Sequence, residues 1–307
     1  MDSTLAANPC EAFHVNDNQP TLYIVATPIG TLSDMSQRAR DVLSQVDFIA
    51  CEDTRRTKEL FLALGLRHGT LVSLHEHNER GKSDSLVERL KNSPHRKAAI
   101  VSDAGTPAIS DPGALFVDAC HAAGVRVESV PGPSSLVSGI AASGFLRPRV
   151  IFSGFLSRGA SDQKIEFRRW ITMAPCIGVC FENPNRVLST LKHAGEVFPC
   201  DVMVCVSREI SKKFEQHIRG PITEVIEQIT GAENFRGECV LCFDLPENMP
   251  MQAMPTSMTL QEAVVKIVDL LDSNPELRIK ELTKKWSEEH NLNAKDLYNA
   301  VIESRRK

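Results

Sequence analysis

The chain has no apolar run of the length that spans a bilayer, and Met1 to Pro20 offers neither an apolar core nor a basic start. Neither a membrane span nor a signal peptide is expected, which points to a cytoplasmic protein. It has no excess of charge of one sign: 35 Lys and Arg against 39 Asp and Glu leave a net charge of -4, so no global basic field announces nucleic acid. It also lacks G-x-G-x-x-G, G-x-x-x-x-G-K-[ST] and G-x-S-x-G. These absences argue against a dinucleotide oxidoreductase, a P-loop NTPase and an α/β-hydrolase. Nine cysteines are scattered along the chain and read as reduced, buried small hydrophobes. Cys239 and Cys242 have C-x-x-C spacing, but in an expected strand that separation points them to opposite faces, so no metal or redox site is expected.

What is present is a globular composition, 42% hydrophobic and 24% charged, in 307 residues, enough for two ordinary domains and a small appendage. The organising stretch is Ser102 to Gly113, reading Ser-Asp-Ala-Gly-Thr-Pro-Ala-Ile-Ser-Asp-Pro-Gly. It joins an apolar run, Ala98 to Val101, to an apolar-periodic helix, Ala114 to Ala123. A plain strand-to-helix crossing needs roughly two to six residues. The extra length and the turn chemistry read as a loop shaped around a ligand, at the strand end where open α/β sheets bind theirs.

Strands at Leu22 to Ala26, Phe48 to Cys51 and Leu71 to Leu74 precede it, alternating with helices. Asp34-x-x-Gln37 reads as a capping box, and Ala39, Val42, Leu43 and Val46 form one apolar stripe. Val125 to Val130 completes a largely parallel, doubly wound sheet, and Pro131-Gly132-Pro133-Ser134-Ser135 stiffens a second strand-end loop. Beyond Arg147-Pro148-Arg149, strands at Ile151 to Leu156, Cys176 to Phe181, Val202 to Ser207 and Glu238 to Asp244 form a second α/β series. The expected organisation is a mobile tail 1–20, α/β domains 21–146 and 147–244, a linker 245–258, and a helix-turn-helix-like module 259–307 opening on the capping box Thr259-x-x-Glu262. The module's nine basic and nine acidic residues form no basic patch, so DNA is not expected as a partner. From Arg147 to Arg219, twelve Lys or Arg stand against seven Asp or Glu. That surplus offers phosphate contacts or is a scattered charged surface.

Polar clusters end two further strands. Glu52-Asp53-Thr54-Arg55 suits either a phosphate or a structural ion pair and cap. His75-Glu76-His77-Asn78-Glu79 lacks a third ligand at zinc spacing, whereas a His or carboxylate at a strand end can meet a substrate hydroxyl. Arg208-Glu209-Ile210-Ser211-Lys212 places cations after a strand of the second series.

These segments, with Thr27-Pro28-Ile29-Gly30, Gly154-Phe155-Leu156, Phe181-Glu182, Arg186 and Gly237-Glu238, stand in an order that resembles the tetrapyrrole-methylase superfamily. Within it they resemble the bacterial 16S rRNA (cytidine-2'-O)-methyltransferase family, from Thr21 to about Asp244. The resemblance implies a two-domain α/β fold with S-adenosylmethionine in the cleft between the domains, a small C-terminal helical module and a homodimer. It implies methylation of a cytidine ribose in 16S rRNA, within the small ribosomal subunit. By position it places Pro28, Asp103, Gly105, Thr106, Ile109, Ser110, Ser134, Ser135, Phe181 and Glu182 at the cofactor. Candidates for the chemistry are Glu76, His75, Glu52 and Lys212; those for RNA contact are Arg55, Asn78, Arg186, Arg208 and Lys212. A tetrapyrrole-precursor methyltransferase and a non-catalytic RNA-binding or assembly factor are the alternatives. Glu52 to Arg55 and His75 to Glu79 favour the RNA branch. The chain departs from the family pattern at Thr31, Ser157 and Ile210-Ser211, where Asn, Pro and Leu-Thr are typical, which bears on substrate-side details.

Overall fold

Alternating apolar strands and amphipathic helices give two α/β units in the computed structural model, which describes residues 19–305 apart from 199, 233–234, 248, 250–258, 275–276 and 291. The expected mobile tail up to residue 18 and most of the expected linker lie outside the described residues. One unit runs up to Ala142 and takes in Ser207–Gln216; the other comprises Ser143–Val206 and the chain from His217 onward.

The first unit holds strands β1 (Thr21–Val25), β2 (Phe48–Cys51), β3 (Thr70–Ser73), β4 (Lys97–Val101) and β5 (Arg126–Val130), in the order β3-β2-β4-β1-β5 with every pair parallel. After β5 comes α5 (Ser135–Ser143). Strand side chains alternate between two cores. Leu22, Phe48, Ala50, Ala98 and Ile100 lie on one face with Leu86, Val87 and Leu90 of α3 (Glu79–Asn92) and Phe116 and Cys120 of α4 (Ala114–Ala122). Tyr23, Val25, Ile49, Cys51, Ala99 and Val101 lie on the other with Ala39, Val42 and Leu43 of α1 (Gln37–Gln45) and Phe61 of α2 (Thr54–Leu64). A sheet covered on both faces needs near-continuous apolar strands, and β2 is buried at all four positions. Each large buried side chain contributes roughly 1.5–3 kcal/mol by leaving water. The Asp34 capping box is not formed: Leu32–Asp34 is a 3-10 turn, and Ser36 caps α1 by accepting from the Ala39 N–H. Ser36 reaches an orphan donor of the first turn that Asp34, held in the turn before it, does not.

The second sheet runs β6 (Val150–Phe155), β7 (Cys176–Glu182), β10 (Cys239–Leu245), β8 (Met203–Arg208), β9 (Gln216–Pro221) from edge to edge; β6 and β7 are parallel, and β7 and β10 antiparallel. Its core gathers Phe167 and Trp170 of α6 (Ala160–Thr172), Phe198 and Phe243, with ring centroids 5.3–5.8 Å apart. Val187 and Leu191 of α7 (Pro184–Gly195) and Ile222, Val225 and Ile229 of α8 (Ile222–Thr230) complete it. Seven of the cysteines are buried as expected, but Cys200 is exposed, in the loop before β8. In β10, Cys239, Leu241, Phe243 and Leu245 face this core, which leaves Cys242 on the opposite face.

Helices Leu260–Ser273, Ile279–His290 and Ala294–Ser304 enclose a small core of their own: Ala263, Ile267, Leu271, Leu297 and Val301. The expected Thr259–Glu262 capping box is formed in both directions. Among the described residues no helix is long and apolar enough to cross a membrane.

Candidate active site

Three strand ends of the first unit converge. After β1, Thr27 exchanges two backbone hydrogen bonds with Gly105 of the loop after β4, at 2.9 and 3.1 Å, and its hydroxyl donates to the Ser102 carbonyl at 3.2 Å. The Thr106 hydroxyl donates at 3.4 Å to the Pro133 carbonyl, in the loop after β5. Gly105 sits at φ 84°, and a Cβ there would stand 3.4 Å from Ile29 Cγ2. Ala108 and Ser110 hold φ of 66° and 60°, conformations that cost non-glycine residues energy and gather at ligand-binding loops. Gly113 closes the loop at φ 128°, where a Cβ would come within 2.4 Å of Ile100 Cδ1. Ile109 and Ser110 are exposed, and Thr106, Ser134 and Ser135 half-buried. Pro28 is buried beside Thr27. The result is a cradle of tightly turned backbone and part-exposed hydroxyls, with Gly105 buried at its centre.

The ends of β2 and β3 build the neighbouring part. Asp103 accepts from the Asp53 N–H at 3.3 Å and pairs with Arg56 at 3.1 Å. Asp53 caps α2 by accepting from the Arg55 N–H, and pairs with the Arg55 guanidinium at 2.8 Å. Hydrogen bonds from Arg55 hold the Asp53 carboxyl down at about 2. Glu52 goes the other way: burial, then the Asp103 carboxylate, raises it, against the opposing pull of Arg56. Glu52, Asp53, Thr54, Arg56, Ser73 and Asp103 line an open pocket of about 560 Å³. Since β3 lies two strands from β4, its end stands about 10 Å from the long loop at ordinary strand spacing.

The 75–79 cluster divides by role. Glu76 and His77 are exposed. Glu79 is buried, and its Oε1 accepts from the N–H groups of Gly113, Leu115 and Phe116 at 2.9, 2.8 and 3.3 Å. It caps α4, whose own N-cap residue is a glycine without a side chain. Asn78 accepts from the His75 N–H at 3.0 Å and lies 2.8 Å from His75 Nε2. Lys82 donates to the Ser73 carbonyl at 3.0 Å.

The loop after β8 belongs to this unit. The Thr31 N–H donates to Ser211 Oγ at 3.1 Å, the Thr31 hydroxyl to the Ser211 carbonyl at 2.7 Å, and Ser211 Oγ to Asp34. A Cβ on Gly30 would stand 2.4 Å from the Ser211 carbonyl oxygen. Two of the positions that depart from the family pattern, Thr31 and Ser211, are thus each other's partners. Lys212 pairs with Glu209 at 3.0 Å, and Arg208 donates to Gln216 at 2.9 Å.

In the second unit the Phe181 ring packs against Phe152 and Phe155 at 4.9 and 5.5 Å. Glu182 is buried and committed: it pairs with Arg186 at 2.9 Å and accepts from Thr190 at 2.7 Å and from the Asn183 N–H at 2.8 Å. Arg186 also donates to the Leu156 carbonyl at 2.9 Å. Sequence reasoning left out Arg56, Ser73, Glu79 and Thr27. The partners of Thr27, Arg56 and Glu79 lie far along the chain, and the signals were the place of Glu79 in a dense polar cluster and of Thr27 in Thr27-Pro28-Ile29-Gly30. Among the described residues no group of His, Cys, Asp and Glu could hold a metal ion.

The chain is a methylase by family: residues 21–226 match the family described as Tetrapyrrole (Corrin/Porphyrin) Methylases, and the chain belongs to it. Diphthine synthase shares the fold, with a TM-score of 0.55 at 14% identity over 75% of this chain and 91% of that one. Ribosomal RNA small subunit methyltransferase I of Vibrio cholerae is 35% identical over 94% of this chain and 97% of its own length. The Bacillus subtilis protein of that name is 34% identical over 94% and 96%. The chain is a member of this ribosomal RNA small subunit methyltransferase I family.

Proposed function

We propose that the chain methylates the ribose 2'-hydroxyl of a cytidine in 16S ribosomal RNA, with S-adenosylmethionine as methyl donor. It acts on the small ribosomal subunit, in the cytoplasm, as a homodimer. The observation that carries this is the joining of two kinds of strand end in one unit: a backbone-and-hydroxyl cradle at β1, β4 and β5, and an acidic pocket at β2 and β3. Pro28, Asp103, Gly105, Thr106, Ile109, Ser110, Ser134 and Ser135 hold the donor. Glu182 acts at one remove, by fixing Arg186.

The bound donor supplies an activated sulfonium methyl, so the protein's work is to hold a weakly acidic hydroxyl in line and take its proton. Glu52 fits the acceptor role: its proton affinity is raised by burial and Asp103, and it lines the pocket. Asp103 ties the two halves, since it belongs to the long loop while its carboxylate holds Asp53 and Arg56 in the pocket wall. Exposed Arg55 and half-buried Arg208 and Lys212 supply cations for RNA phosphate.

The test offers labelled S-adenosylmethionine with purified small ribosomal subunits and, in parallel, a tetrapyrrole precursor. Label in the RNA is expected. Label in the macrocycle alone would reject the RNA substrate and keep the fold.

A further inference from the structure

The ring of His75 carries a buried Nδ1 with no hydrogen-bond partner among the described residues, and the hydrogen bonds around it fix which nitrogen holds the proton. The His75 backbone N–H donates to Asn78 Oδ1 at 3.0 Å, and Asn78 Nδ2 donates to the Ser73 carbonyl at 3.4 Å. A donor at one end of the amide and an acceptor at the other allow one orientation only; a flip would set N–H against NH2 and oxygen against oxygen. The amide NH2 therefore stands 2.8 Å from His75 Nε2, which must present a lone pair. Neutral imidazole with its lone pair on Nε2 carries its proton on Nδ1. A buried N–H without an acceptor is unfavourable, and such groups in folded proteins call for a functional explanation.

The ring stands at the end of β3, next to the pocket: Ser73 lines the pocket, and the Asn78 amide that faces the ring also donates to the Ser73 carbonyl. It is also on the side of the sheet away from β1 and β5, whose loops carry the donor cradle. Resting on the RNA-methylation reading, we propose that His75 is a substrate-binding donor: its Nδ1–H, covered in the free protein, takes an oxygen of the acceptor RNA's ribose-phosphate when bound RNA uncovers it, and Asn78 is the positioning residue that locks this tautomer. With Nε2 occupied and Nδ1 protonated, neutral His75 has no lone pair free to act as base. Proton acceptance is left to Glu52. His75 and Asn78 then act as one unit, a donor and its lock.

The tautomer is read directly by two-bond proton–nitrogen correlation on the full chain with 15N-labelled histidine, the His75 signals being assigned by their loss in His75→Asn. The Nδ1–H pattern is expected near neutral pH in the free protein; the Nε2–H pattern or an imidazolium there would overturn the proposal. Asn78→Asp keeps an acceptor for the His75 N–H but sets a second acceptor against Nε2. It should reverse the tautomer and raise KM for small subunits at least tenfold, with affinity for S-adenosylhomocysteine unchanged. An unaltered tautomer in that variant would refute the lock. His75→Asn places an amide N–H near the former Nδ1 and should retain at least tenfold more activity than His75→Ala; equal loss in both would refute the donor role. If the tautomer is as stated but the wild-type protein labels no RNA, the methylation reading fails instead.

Discussion

In the proposed reaction the proton acceptor is Glu52. Burial and the Asp103 carboxylate raise its proton affinity, so it keeps a proton at a pH where an ordinary glutamate is ionised. As a base it works only when ionised, so methyl transfer should fall as pH is lowered through a value above the ordinary carboxylate range. The sign for stability is the reverse. The folded form holds this proton more tightly than the unfolded chain, so ionised Glu52 costs stability at neutral pH. Glu52→Gln should therefore lower kcat by about 100-fold or more while melting no lower than wild type at pH 7; a lower melting temperature would contradict this account. The arginines separate in the same way. Arg55, with its side chain 86% exposed, should on mutation to Ala weaken RNA binding and reduce the slope of log affinity against log salt by about one. Arg186, held by Glu182 and the Leu156 carbonyl, should on the same change lower the melting temperature and leave that slope unaltered.

Between elements, the key link is Glu79, one carboxylate oxygen holding three N–H groups at the start of α4. Glu79→Ala should cost about 2 kcal/mol in urea unfolding and raise KM for the methyl donor, because the long loop loses its far anchor. Glu79→Gln keeps an oxygen in place and should recover most of both. Elements were legible where the signal is local. β1, β2 and β4 announce themselves by apolar runs, and the Thr259–Glu262 box by a spacing of three. The signal failed where the partner is distant or the local pattern ambiguous. Asp34-x-x-Gln37 has the spacing of a box, yet Ser36 is the residue that reaches the orphan N–H. β9, Gln-His-Ile-Arg-Gly-Pro, is an edge strand with mostly exposed side chains and a terminal proline, so it showed no apolar run. The contacts of Asp103 with Arg56 and of Glu79 with Gly113 cross 47 and 34 residues of sequence, and no period or motif encodes such distances.

For the whole molecule, the candidate site and the bulk of the second core rest on different units, and they should respond separately. A Cβ at Gly178 would stand 2.4 Å from Trp170 Cε3, inside the aromatic cluster. Gly178→Ala should destabilise the second unit by about 1–3 kcal/mol, seen as a lower melting temperature, while kcat of the folded fraction stays within twofold. The long loop and the family resemblance made the methylase class legible from sequence. The division of labour inside the site was not, because Glu52, Asp53 and Asp103 look alike as letters and differ only in burial and neighbours. The measurement that bears most directly on the central claim is the position of the transferred methyl. Small-subunit RNA labelled by the wild-type protein, hydrolysed in alkali, should yield the label in an alkali-resistant dinucleotide beginning with cytidine, and Glu52→Gln should leave that product at about 1% or less of its rate. Label recovered in mononucleotides would place the methyl on a base and contradict ribose methylation by this site.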